Sequence, residues 1–184
     1  MAQPASAQHL SASARAAGIA LLVLDVDGTL TDGTLYFGAQ GEQFKGFNVS
    51  DGQGLALLRQ AGFKLAIVTG RSSEIVAARA LELQFDAVLQ GVTSKSVALQ
   101  SLSTQFNCSM PQIAMMGDDW PDLPAFAMAG FSAAPSSAHR EVRARAHWVS
   151  QKPAGQGAVR ELCDFLLIAQ GKYESALARF TELR

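Results

Sequence analysis

Short apolar runs that end in carboxylates, hydroxyls or glycine recur along this chain, and this pattern most narrows the folds open to it. Ile19–Leu24 stops at Asp25, Lys64–Val68 stops at Thr69-Gly70-Arg71, and Ile113–Met116 stops at Gly117-Asp118-Asp119. Continuous apolar runs of this length predict strands buried on both faces, as in a parallel sheet. Between them the spacing predicts helices. Leu55 and Leu58 mark one over Asp51–Ala61, closed by Gly62. Ser72 or Ser73 can cap a second, reaching Gln84, and Ser94 a third, in which Ala98, Leu102 and Phe106 repeat. Phe85–Leu89, Gly130–Ala133 and His147–Ser150 complete the expected strands, with a short Pro-bounded helix at Asp122–Ala129. Val159, Leu162, Cys163, Leu166 and Leu167 share one face of a last amphipathic helix. Thr34–Phe37 and Gln43–Val49, separated by Gly38–Gly41, resemble a hairpin. The expectation is an α/β fold: a doubly wound parallel sheet whose ligands sit beyond the carboxyl ends of its strands.

Size and composition fit one such domain. The 184 residues are 48% hydrophobic and only 17% charged, which suits a single well-filled core and argues against disorder. Residues 1–18, rich in Ala and Ser, read as a frayed arm and lack the apolar core of a secretory signal. Residues 19–171 form the expected domain, and 172–184 an extra helix or a tail. A formal charge of −1 lacks the basic excess that nucleic acid or an anionic membrane would call for, and no apolar run is long enough to span a bilayer. Cys108 and Cys163 are far apart and in no ligand spacing, which suits a reducing cytoplasm. His9, His139 and His147 lack a partner spacing and are taken as structural or surface residues.

The polar clusters at the strand ends carry the chemistry. Asp25 and Asp27 stand where the chain leaves the pleat, so both can approach one site, and Gly28 permits a sharp turn there. Adding Asp118 and Asp119 brings four carboxylates together, an arrangement disfavoured by repulsion unless a cation sits among them or a carboxyl is protonated. Oxygen ligands with no nearby His or Cys suit Mg2+. Lys95, the Thr69 hydroxyl and the amides around Gly70, expected at a helix start, would hold a phosphoryl group against the metal. A carboxylate such as Asp25 can then attack phosphorus to form an aspartyl-phosphate, leaving Asp27 as the proton carrier. Asp122 either joins this cluster or caps the Pro-bounded helix. Arg71 either orients the substrate or pairs with Glu74.

The ordered set Asp25-Val26-Asp27-Gly28-Thr29, Thr69-Gly70-Arg71, a lone Lys95 and Gly117-Asp118-Asp119 with Asp122 resembles the haloacid dehalogenase-like phosphatase superfamily. That resemblance implies a Rossmann-like sheet, with Asp25 as nucleophile and Asp27 as acid/base. It implies metal ligation by the Asp25 carboxylate, the Asp27 main-chain carbonyl and Asp118, and phosphate binding by Thr69 and Lys95. The spacings leave no room for a large cap domain. Leu24–Gly33, Phe47-Asn48-Val49-Ser50-Asp51-Gly52 and Gly155–Glu161 are more narrowly similar to the 3-deoxy-D-manno-octulosonate 8-phosphate (KDO 8-phosphate) phosphatase family. This implies a phosphorylated sugar-acid substrate and a homotetramer. In it the hairpin, here Thr34–Phe47, associates between subunits, and a neighbour's segment near Lys152–Gly157 helps close the capless site. Ser50 stands where the family pattern has Arg, Ala154-Gly155 where it has Gly-Gly, and Trp120-Pro121 where it has Leu-Asn. The lost arginine bears on the substrate more than on the reaction, leaving another sugar such as a nonulosonate 9-phosphate open. A receiver-like signalling domain also clusters Asp, Thr and Lys, but generally carries its phosphoacceptor after the third strand. A catalytically quiet oligomeric regulator is the remaining alternative.

Overall fold

The computed structural model describes residues 11–181. In chain order the elements are α1 (Ala12–Ala16), β1 (Leu21–Leu24), β2 (Tyr36–Gly38), β3 (Gly41–Phe44), α2 (Val49–Gln60), β4 (Lys64–Val68), α3 (Glu74–Glu82) and β5 (Ala87–Leu89). There follow α4 (Lys95–Gln105), β6 (Ile113–Met116), α5 (Leu123–Phe126), β7 (Phe131–Ala134), α6 (Arg140–Arg143), β8 (Trp148–Val149), α7 (Ala158–Ala169) and α8 (Tyr173–Thr181). Six strands form one parallel sheet in the order β5-β4-β1-β6-β7-β8, while β2 and β3 pair as a separate antiparallel hairpin. Chain order therefore reverses between β1 and β6, the switch point at which doubly wound sheets open a crevice.

Alternation along each strand divides the core. Leu22, Leu24, Leu65, Ile67, Ala114 and Met116 pack with α2 and α7 on one face of the sheet. Leu21, Val23, Ala66, Val68, Ile113 and Met115 pack with α4, α5 and Val142 of α6 on the other. β1, with all its side chains buried, is apolar throughout because neither of its faces meets water. Leu55 and Leu58 of α2 meet Leu162, Cys163 and Leu166 of α7, which joins the two chain-distant helices in one layer.

Four local expectations change. The arm reading gives way over residues 11–18. The Ser11 side chain accepts from the Ala14 amide, starting α1, and Ala16 is buried against the core; residues 1–10 and His9 lie outside the described residues. The second hairpin strand ends at Phe44, and Val49 belongs to α2, because the Asn48 side chain accepts from the amides of Ser50 and Asp51 and opens the helix there. Helix α3 begins at Glu74, so Gly70 lies in a loop and not at a helix start. Leu123–Phe126 is shorter than expected: Asp122 belongs to the preceding 3-10 turn, Trp120–Asp122, and the helix gives way to a turn at Ala127 and Met128. Residues 173–181 are helical.

Candidate active site

A cleft of about 510 Å³ opens beyond the carboxyl ends of β1, β4 and β6. Asp25, Asp27, Thr69, Gly70, Arg71, Lys95, Asp118, Asp119 and Asp122 all line it. The structure thus brings together the clusters that end separate apolar runs. Lys152, at the start of the segment expected to help close a neighbour's site, is exposed on the loop after β8 and is not among the lining residues. Ser50 is likewise exposed, on the first turn of α2, and absent from the lining. The helix start that faces the cleft is that of α4, where Ser94, Lys95 and Ser96 line the wall. Its unpaired amides and dipole favour an anion there.

Two glycines let the acidic loops close up. Gly28 has φ +83°, a left-handed value that favours glycine, and a Cβ there would lie 2.1 Å from Asp118 Oδ2. At Gly117 a Cβ would lie 2.2 Å from Asp122 Cγ. The close approach is therefore written into the positions where side chains are missing. The Thr29 hydroxyl adds a 3.3 Å bond to Asp118 Oδ1, and the His139 amide donates to the Asp118 carbonyl at 2.8 Å.

Lys95 is buried between two carboxylates. Its Nζ lies 3.0 Å from Asp25 Oδ1 and donates to Asp122 Oδ1. Asp122 Oδ2 accepts the amides of Asp118 at 2.9 Å and Asp119 at 3.2 Å. Burial alone would lower the Lys95 pKa, but Asp25 and Asp122 raise it above its ordinary value and keep the ammonium charged. Asp122 therefore belongs to the cluster; its side chain makes no cap on α5, and its second oxygen instead binds the turn that follows β6.

Asp25, Asp118 and Asp122 can each offer an oxygen within 4.8 Å of the others. Burial, and then the Asp122 charge, push Asp25 up to about 6 despite Lys95. Burial, then Asp25 and Asp122, push Asp118 up to about 7. Carboxyls crowded until they hold protons near neutrality are a donor set short of positive charge, and an all-oxygen set of this kind fits a hard divalent cation. The Asp122 oxygens are already engaged by Lys95 and two amides, which leaves Asp25 and Asp118 as the carboxylates with capacity to spare.

Asp27 stands apart from that trio, and its carboxylate is held by residues that sequence reasoning missed. Lys45 Nζ donates to Asp27 Oδ1 and lies 2.8 Å from Glu42 Oε1. Arg71 pairs with Asp27 and Glu42, and the expected alternative partner Glu74 is not engaged. No local signal marked Lys45 or Glu42, since both sit in what the sequence presents as a hairpin. Only the folding of β3 back over the strand ends reveals them.

The comparisons with known proteins agree with this architecture. The family model for haloacid dehalogenase-like hydrolases matches residues 86–162. The 3-deoxy-D-manno-octulosonate 8-phosphate phosphatase of Yersinia pestis is 43% identical over 88% of this chain and 87% of its own length. Its crystal structure superposes with a TM-score of 0.87 at 42% identity, covering 89% of this chain and 88% of that one. The Moraxella catarrhalis phosphatase of the same name, solved in complex with magnesium, phosphate and KDO, gives a TM-score of 0.90 at 39% identity, covering 92% of this chain and 98% of that one. On that similarity of sequence and fold, the chain belongs to the 3-deoxy-D-manno-octulosonate 8-phosphate phosphatase family of haloacid dehalogenase-like hydrolases.

Proposed function

We propose that this chain is a magnesium-dependent phosphatase that hydrolyses 3-deoxy-D-manno-octulosonate 8-phosphate to the free sugar acid and inorganic phosphate. The observation that carries the reading is the convergence of Asp25, Asp118, Lys95 and Thr69 on one cleft at the switch point of the sheet. The bound magnesium, phosphate and KDO of the Moraxella relative support the choice of cation and substrate. Asp25 and Asp118, with the Asp27 main-chain carbonyl, would hold the magnesium, which neutralises charge on the phosphoryl oxygens when bound.

The residues of the chain then divide the work. Thr69, the loop amide of Gly70 and the start of α4 bind phosphoryl oxygens, with Lys95 supplying positive charge. An Asp25 oxygen bonds to phosphorus while the ester P–O bond breaks, its electron pair passing to the sugar oxygen. Asp27 gives that oxygen a proton. It then takes a proton from water as the water oxygen bonds to phosphorus and the Asp25–phosphorus bond breaks. Asp122 keeps Lys95 charged and in place. Asp119, which caps the turn after β6, acts through that turn.

The proposal extends to a homotetramer working in the cytoplasm. The hairpin supports the first part, since Tyr36, Phe37 and Phe44 expose aromatic surface on it. The free, buried Cys108 and Cys163 support the second. Among the described residues no helix is long and apolar enough to cross a membrane.

The test is phosphate release from KDO 8-phosphate with magnesium and with chelator. Metal-dependent release that disappears in Asp25→Asn is the expected result. Release that survives Asp25→Asn would overturn the mechanism. Silence toward KDO 8-phosphate alongside turnover of another phosphorylated sugar would overturn the substrate.

A further inference from the structure

The hairpin is mostly exposed, yet just past its end it buries a lysine. Lys45 follows β3, and its side chain is only 1% exposed. An ammonium taken out of water must be compensated, and both compensating groups are carboxylates: Asp27 through Oδ1 and Glu42 at 2.8 Å. Glu42 is fixed in turn by the Ser73 hydroxyl, which donates to Oε2 at 2.8 Å, and by Arg71 Nη2 at 3.3 Å. Arg71 closes the ring with Nε 3.4 Å from Asp27 Oδ2. Two cations and two anions thus form one network. Asp27 and Arg71 line the cleft, whereas Lys45 and Glu42 are absent from its walls.

We propose that Lys45 is a positioning residue for phosphoryl transfer, holding Asp27 by Oδ1 so that Oδ2 is the oxygen that delivers the proton to the departing sugar. The proposal rests on the phosphatase reading above. The Lys45 bond engages one Asp27 oxygen, so a carboxyl proton is directed to the other, from which Arg71 Nε stands at a looser 3.4 Å. As Asp25 bonds to phosphorus, the ester bond breaks with its electron pair on the sugar oxygen, and the Oδ2 proton moves to that oxygen. Lys45 itself gains and loses nothing in the step. A network serving only to anchor the hairpin would have no need of the acid/base residue as one of its corners.

The leaving group separates these two roles. KDO 8-phosphate releases an alkoxide that needs a proton, while p-nitrophenyl phosphate releases a phenolate stable without one. Phosphoenzyme formation is measured by rapid quench in a single turnover with each, for wild type, Lys45→Met, Lys45→Arg and Glu42→Gln. Circular dichroism and thermal melting are run on every preparation. Lys45→Met is expected to slow transfer from KDO 8-phosphate about 100-fold, within the range general acid catalysis supplies, and to leave p-nitrophenyl phosphate within about threefold. Lys45→Arg is expected to restore most of the rate. A folded Lys45→Met that loses equal rate on both substrates, or none on either, overturns the proposal. Should Lys45→Met fail to fold, Glu42→Gln decides: a smaller loss confined to KDO 8-phosphate supports positioning, and an equal loss on both substrates overturns it. Failure of the phosphatase reading shows separately, as wild type that forms no phosphoenzyme from either compound.

Discussion

The Asp122 carboxylate shows how one residue can govern a site without touching phosphorus. Oδ1 accepts from Lys95 and Oδ2 from the amides of Asp118 and Asp119, so all of its partners are donors. An asparagine in its place must turn its NH2 toward one of those donors, whichever way it is flipped. Asp122→Asn is therefore expected to lower stability by about 1–3 kcal/mol, the cost of buried donors left without an acceptor. Because either the lysine or the turn carrying Asp118 then shifts, kcat/KM should fall about 100-fold, as for small misplacements of reacting groups. Thermal melts and steady-state phosphate release check the two effects. At this scale the sequence was informative where residues share a run: Asp25 and Asp27 stand two apart at the end of one strand, and Asp118 follows a strand of the same kind. Asp122 stayed ambiguous because a capping Asp and a buried Asp look alike in sequence. Lys45 was illegible because its partner Asp27 lies across a turn and a hairpin.

Among the elements, the buried strands were easiest to read, since β4 and β6 have no polar residue within them to blur their ends beyond Lys64. Helix starts were harder. The α2 start depends on the Asn48 side chain bonding two amides, and α1 on Ser11, each a local competition that apolar spacing does not report. The short α6 carries one buried residue, Val142, and so no periodicity to detect. The contact of α2 with α7 rests on a further hidden group. Asp51, in the first turn of α2, accepts the Arg160 amide at 2.8 Å near the start of α7, which joins two elements distant in the chain. Asp51→Ala leaves that amide without its acceptor and is expected to cost about 1–3 kcal/mol in chemical denaturation. Burial raises the Asp51 pKa against the pull of the α7 amides. Between the ordinary and the raised value the folded chain keeps a proton that the unfolded chain releases, so stability falls as pH rises through that window and is level above it. Asp51→Asn keeps an acceptor oxygen but does not titrate. Its stability relative to wild type is expected to climb across the same window, and a pH series of melts with parallel curves would contradict this.

For the whole molecule, the cleft at the switch point sets function against stability. The sheet directs β1 and β6 side by side, so their trailing carboxylates must converge, and glycine at positions 28 and 117 lets them approach closer than a Cβ would allow. Burial and the charges of Asp25 and Asp122 lift Asp118 to about 7, which means that around neutral pH the folded chain bears an unfavourable charge that unfolding would relieve. In the proposed site a cation held by Asp25 and Asp118 would remove that penalty and bind only the folded form. At a magnesium concentration 100 times the dissociation constant, binding adds about 2.7 kcal/mol, or about 5–10 °C in Tm for a chain of this size. Asp118→Asn is expected to change its rank against wild type between the two conditions. Without the buried charge it should melt above wild type in chelator, and without the ligand it should gain little from magnesium and release no phosphate from KDO 8-phosphate. Melting both proteins at pH 7.5 with chelator and across a magnesium series decides the matter. If Asp118→Asn melts below wild type in chelator, the carboxylate stabilises the fold instead of straining it; if it follows magnesium as wild type does, the metal is held elsewhere.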